Sequence, residues 1–298
     1  MTTSDASVLL FFIDGLGIGT RGPHNPLDNL AHAAPLAVFQ NETPETFLDG
    51  IVVPTDPRLG IEGRPQSASG QTTILTGINA PATIGYHKQG FPNKPLLEII
   101  GQHSLFRQLS EAGVEPITFA NAYTSGFFSE RPRWISATTA AVEAAGLRFR
   151  NMDDVRSGNA VFMDYTNRIL IERGEDVSVR TEIEAAAVLS NIVAQNRFTL
   201  YEYFITDKVG HAQDTDLAKT ILPSLALFIR ELLIKLDLER TTVILTSDHG
   251  NIEDLSIRNH TLNAVPTIVW GAQREQIATR IRNLADITPA IVALLTNK

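Results

Sequence analysis

Three apolar runs in this chain each end in an aspartate, and that pattern constrains the fold more than any other feature. Residues 8–13 are continuously apolar and end at Asp14-Gly15; residues 198–206 have strand character and end at Asp207; residues 242–246 run into Ser247-Asp248-His249-Gly250. Continuous apolarity, rather than alternation, marks a strand buried on both faces of a parallel sheet. In open α/β sheets the carboxyl ends of the strands line the ligand crevice. Three carboxylates gathered at such an edge repel one another unless positive charge lies between them, and a pair of divalent cations meets that need.

The rest of the chain reads in the same class. Residues 51–54 and 266–270 are further strand candidates, and a helix over 70–78 follows the turn-rich stretch 63–67. An amphipathic helix over 104–112, with Leu105, Phe106, Leu109 and Ala112 on one face, stops at Gly113 before a strand over 116–120. A long helix spans 217–238, and a closing helix over 289–295 has Thr288 as its expected cap. Between 125 and 196 the pattern shifts to helices over 133–145 and 180–195 with a short strand near 160–163. The expected fold is an α/β αβα sandwich with a mainly parallel central sheet. Residues 1–124 and 197–298 would form its core, and 125–196 a small cap or elaborated connection.

Composition removes several classes of function. A net charge of −8 and a pI near 5.4, with Lys and Arg scattered, argue against a nucleic-acid surface. The chain has no cysteine, so any metal must be held by oxygen and imidazole nitrogen. The run at 8–13 is too short for a membrane span or signal core, and Asp5 rather than a basic residue precedes it. A cytoplasmic enzyme with no membrane partner is the expectation.

Asp207 and His211 stand four apart, which in a helical turn puts both on one face. Such a pair suits zinc or manganese, although it also arises on solvated helix faces. Asp248 and His249 leave a buried strand at a glycine turn, where adjacent side chains can splay toward two ions; the same pattern also serves as a helix cap beside a surface histidine. His260 lies in a polar loop, Asn259-His260-Thr261-Leu262-Asn263, that feeds the last strand. Ser67 stands at a helix entry, where unpaired N–H groups favour phosphate; Ser67 or Ser69 can equally be a simple cap. Arg64, Lys88 and Lys208 are candidate partners for a second anionic group of a substrate. His24, His32 and His103 read as ordinary surface or core residues.

The order of these motifs is similar to that of the alkaline phosphatase superfamily: Asp-Gly after the first strand, Ser-x-x-Gly at a helix start, Asp-x-x-x-His, Asp-His-Gly-Asn, then His-Thr-x-Asn-x-Val-Pro. Within it, the chain most resembles the metalloenzyme group that contains cofactor-independent phosphoglycerate mutase and phosphopentomutase. The resemblance spans residues 14 to 266. It implies an alkaline-phosphatase-like core and two divalent ions, Mn2+ or Zn2+ with Mg2+ as an alternative. One ion would be held by Asp207, His211 and His260, the other by Asp14, Asp248 and His249, with Ser67 as the nucleophile beside it. The implied activity is a phosphatase or phosphomutase acting on a small phosphorylated metabolite. A phosphodiesterase and a non-catalytic metal-binding protein are the alternatives; the Pro and Arg of a sulfatase motif are missing after Ser67. Two departures lean away from a mutase. Gln71 stands where the mutases carry His after Gly, and the insertion between Ser67 and Asp207 is small.

Overall fold

The computed structural model describes residues 6–31 and 34–296. Its strands are β1 (Ser7–Ile13), β2 (Ile51–Thr55), β3 (Ile117–Phe119), β4 (Phe198–Tyr203), β5 (Thr241–Thr246) and β6 (Val265–Trp270). Among the described residues they form one six-stranded sheet in the order β2-β6-β5-β1-β4-β3. Strands β3, β4, β1 and β5 run parallel, while β6 is antiparallel to both β5 and β2.

Four helices lie between β2 and β3: α1 (Ser67–Thr76), α2 (Ala80–Ile84), α3 (Lys94–His103) and α4 (Leu105–Glu111). Five more precede β4: α5 (Ser125–Ser129), α6 (Ala137–Ala144), α7 (Met152–Arg156), α8 (Arg168–Glu172) and α9 (Glu182–Ala194). After β4 come α10 (Ile205–Ala212) and α11 (Thr215–Lys235), and after β6 come α12 (Arg274–Ala278) and α13 (Ile287–Thr296).

The continuous apolarity of β1 follows from its place mid-sheet, because successive side chains point to opposite faces. Leu9, Phe11 and Ile13 pack into a core with Leu189 of α9 and Leu222 and Phe228 of α11. Val8, Leu10 and Phe12 pack on the other face with Ile74 of α1, Phe106 of α4 and Ile291 of α13. The architecture is therefore an αβα sandwich. Thr288 lies inside α13 rather than capping it. Its buried hydroxyl donates to the Ile74 carbonyl of α1 at 2.7 Å, satisfying one of the carbonyls a helix leaves unpaired near its C-terminus.

Residues 125–196 divide among three environments. Ala137, Ala141 and Val142 of α6 belong to the second core, and Ala185, Leu189 and Val193 of α9 to the first. Between them, Met152, Val155, Phe162, Met163 and Leu170 form a small separate cluster that reaches Phe204. The strand expected near 160–163 is only a single bridge, Asn121 to Val161. No helix among the described residues is long and apolar enough to cross a membrane.

What matters for the site is register. Ile13 is level with Tyr203 and Phe12 with Thr246, so β1, β4 and β5 end side by side at one edge.

Candidate metal centre

At that edge β1 delivers Asp14, α10 carries Asp207 and His211 one turn apart, and the turn after β5 carries Asp248 and His249. His260 comes from the loop before β6, its ring stacked on that of His249 with centroids 3.5 Å apart. Ser67 is the first residue of α1, and its Oγ lies 2.9 Å from His249 Nε2. Ser67 is thus helical rather than a cap, and its hydroxyl faces the cluster. Ser69 instead bonds the Gln66 carbonyl and receives the Lys88 N–H. All seven residues read from the motifs converge.

Hydrogen bonding shows what this cluster is built to hold. His211 Nδ1 lies 2.8 Å from the Arg258 carbonyl, and His260 Nδ1 lies 2.8 Å from the Pro65 carbonyl. A carbonyl only accepts, so both Nδ1 atoms carry hydrogen and, in the neutral rings, both Nε2 atoms are acceptors. Those two Nε2 atoms face each other at 3.1 Å, and each is 3.4 Å from an Asp207 oxygen. Acceptors turned on one another call for a cation between them, and a backbone carbonyl on the far nitrogen is how metal-ligating histidines are oriented. Asp207, His211 and His260 fit such an ion.

A second set lies alongside. Ligand atoms of Asp14, Asp207 and His249 fall within 4.8 Å of one another. Asp14 Oδ1 is buried without a hydrogen-bond partner and lies 3.4 Å from His249 Nε2, which is 3.5 Å from Asp248 Oδ2. The Gln71 amide donates to both Asp14 Oδ2 and Asp248 Oδ2 at 3.2 Å. An unpartnered buried carboxylate oxygen beside an imidazole nitrogen fits a divalent cation.

The electrostatics point the same way. Burial, then the charges of Asp248 and Asp207, raise the Asp14 carboxyl well above the usual carboxylate range. Burial and Asp207 push Asp248 up to about 7. Burial works to raise Asp207 too, but a proton on His260 Nε2, standing where a cation would, donates to it. With the neighbouring imidazoles it outweighs burial and holds that carboxyl low, just as Asp207 in turn raises His260. Burial and His260 lower His249 to about 3, leaving it neutral, as a metal ligand must be.

Other residues hold this arrangement. Asn251 Nδ2 donates to Asp207 Oδ1 at 2.8 Å. Buried Glu253 accepts from the N–H groups of Gly17 and Asn251 and from Thr261 and Asn263, tying the Asp14 and His260 loops together. Thr261 and Asn263 belong to the His-Thr-x-Asn motif, so the signal for Glu253 lay in its partners. Gly15 has φ +74°, and a Cβ there would meet the Asp207 backbone at 2.9 Å, so only glycine lets β1 and α10 approach this closely.

A cleft of about 640 Å³ opens from Asp14, Ser67 and Asp207 toward the small cluster around Phe162. The sequence-predicted cations Arg64 and Lys88 do not line it. Arg64 donates to the His260 carbonyl at 2.5 Å, and the Lys88 ammonium folds back onto the Gln89 carbonyl. Lys208 does line it, together with Arg173 and Glu202, whose place at the site had no motif to announce it. Burial raises the Glu202 carboxyl to about 7. His24 and His103 are exposed and away from the cluster; His32 lies outside the described residues.

Residues 151–298, which carry Asp207, His211, Asp248, His249 and His260, match the Metalloenzyme superfamily. That part of the chain is similar to the metalloenzyme superfamily. The chain is 30% identical over 127 residues to a 2,3-bisphosphoglycerate-independent phosphoglycerate mutase from Gracilaria tenuistipitata var. liui. That match spans 39% of this chain and only 24% of the mutase. Among solved structures, a protein from Pyrococcus horikoshii superposes with a TM-score of 0.56 at 13% identity, covering 99% of this chain and 98% of the other. The alkaline phosphatase from the Antarctic bacterium TAB5 gives a TM-score of 0.53 at 15% identity, covering 98% of each chain. These likenesses show an alkaline-phosphatase-like fold.

Proposed function

We propose that the protein is a metal-dependent phosphomonoesterase that uses Ser67 as nucleophile. The observation that carries this reading is the Ser67 hydroxyl at the start of α1, 2.9 Å from His249 Nε2 and inside the cluster of facing acceptors. Asp207, His211 and His260 would hold one divalent ion and Asp14, Asp248 and His249 another, with Mn2+ or Zn2+ suited to the oxygen and nitrogen donors. Ions there would supply charge to neutralise the phosphoryl oxygens and to acidify the serine hydroxyl.

The chain's own residues provide the rest. Ser67 stands at the N-terminus of α1, the end of a helix whose partial positive charge favours a phosphate. Ser67 Oγ attacks phosphorus as the ester P–O bond breaks. The proton lost by the hydroxyl is matched by the one the leaving alkoxide takes up. Water then cleaves the Oγ–P bond and releases inorganic phosphate. Lys208 and Arg173 offer the positive charge within the cleft to hold the phosphoryl end. Hydrolysis is favoured over mutase chemistry because a mutase must retain and turn a second anionic end. The cleft supplies only these two basic side chains among its described lining residues.

Ser67→Ala tests the reading. Metal-loaded protein should hydrolyse a generic phosphomonoester, and the variant should lose about a thousandfold in kcat/KM while keeping its circular dichroism spectrum. Full activity in Ser67→Ala would mean that the serine does not attack.

A further inference from the structure

The cleft beside Ser67 is walled by rings. Phe91, Tyr123, Phe127, Trp134, Phe162 and Phe204 all line it. Tyr123 is the hub of the wall: its ring lies 4.3 Å from that of Phe127 and 4.7 Å from that of Phe149, centroid to centroid. Its hydroxyl is paired with Thr139 Oγ1 at 2.9 Å, so the polar end is satisfied within the protein and the ring is what faces the cleft. At the rim, Phe91 is 50% and Trp134 57% exposed, large apolar surfaces that the fold itself does not cover.

Charge is distributed to match. The two basic side chains, Lys208 and Arg173, are joined in the lining by three acids, Asp14, Asp207 and Glu202. Asp14 and Asp207 belong to the metal cluster, so a second carboxylate or phosphate of a substrate would meet rings and Glu202, with no further cation in the lining. A cleft of about 640 Å³ is also far larger than a three-carbon metabolite needs.

We propose that the substrate is a phosphomonoester whose alcohol carries a flat, largely apolar ring system, seated against the Tyr123–Phe127 wall and covered at the rim by Phe91 and Trp134. The inference rests on the phosphomonoesterase reading for its phosphate end and on the ring wall for the rest. Aromatic groups pair with rings in stacked or edge-on geometry, which gives the wall selectivity beyond simple area.

Two readouts test it. The first compares phenethyl phosphate with glycerol 1-phosphate, both primary alkyl esters, so that leaving-group acidity does not decide the result. The metal-loaded enzyme should prefer phenethyl phosphate by about tenfold or more in kcat/KM. Trp134→Ala and Phe91→Ala should bring that ratio within about threefold of unity, mainly by raising KM for the aryl ester. The second is binding of the non-hydrolysable 2-naphthylmethylphosphonate, followed by tryptophan fluorescence. Of the two tryptophans Trp270 is fully buried, so Trp134 is the reporter. Saturable quenching that vanishes in Trp134→Phe supports the ring seat even if neither ester is hydrolysed, an outcome that would sink only the phosphomonoesterase reading. Equal kcat/KM for the two esters, or no saturable quenching, overturns the proposal.

Discussion

At the scale of single residues, the centre is defined by where protons must be. His211 and His260 each give their Nδ1 hydrogen to a backbone carbonyl, which in the neutral rings leaves two lone pairs aimed at each other across 3.1 Å. Asn251 fixes the third member of that group by donating to Asp207 at 2.8 Å. Removing such an outer partner ordinarily weakens a metal site by about 10–100-fold. Asn251→Ala should therefore raise the Kd for Mn2+ or Zn2+ by that factor in isothermal titration, and an unchanged Kd would show that Asp207 needs no such support. The seven converging residues were legible in the sequence because each stands in a short motif at a strand end or helix start. Glu202 and Arg173 were not. They reach the cleft through tertiary packing of β4 and the segment after α8, with no local spacing to mark them. Arg64 and Lys88 show the opposite limit: they are near Ser67 along the chain, yet their charged ends lie on nearby carbonyls and do not line the cleft.

Among elements, the site depends on how α1 is carried. The helix is buried along nearly its whole length, and Thr288 of α13 satisfies the Ile74 carbonyl in its last turn. Thr288→Val keeps the shape but removes that donor from a fully buried position. Urea unfolding of the metal-loaded protein should show a loss of about 1–3 kcal/mol, and no loss would mean the carbonyl finds another partner. The parallel strands β1, β4 and β5 were readable because two-faced burial writes an unbroken apolar run. The small cluster around Phe162 was not readable as structure. It is held by a β-bridge and short helices, which leave no periodicity, and its ring-lined face toward the cleft appears only once β3, α5 and α6 are assembled.

For the molecule as a whole, ions held at this centre would link metal binding to stability. In the metal-free centre Asp14 and Asp248 hold protons well above the usual carboxylate range, Asp248 to about 7 from an ordinary 3.8. Groups raised on folding contribute stability below their unfolded value and lose it as pH rises through the folded one; Asp207, held low, works in the opposite sense and is outnumbered. Cations compete with those protons, so added Mn2+ should raise Tm more at about pH 8 than at about pH 5.5. An equal rise at both would show that Asp14 and Asp248 are not among the groups displaced. The central claim is that one edge of the sheet holds two ions between facing acceptors. Elemental analysis after equilibrium dialysis against Mn2+ or Zn2+ tests it most directly. The wild-type chain should retain about two ions and His211→Ala about one, whereas a wild-type chain that retains none contradicts the account.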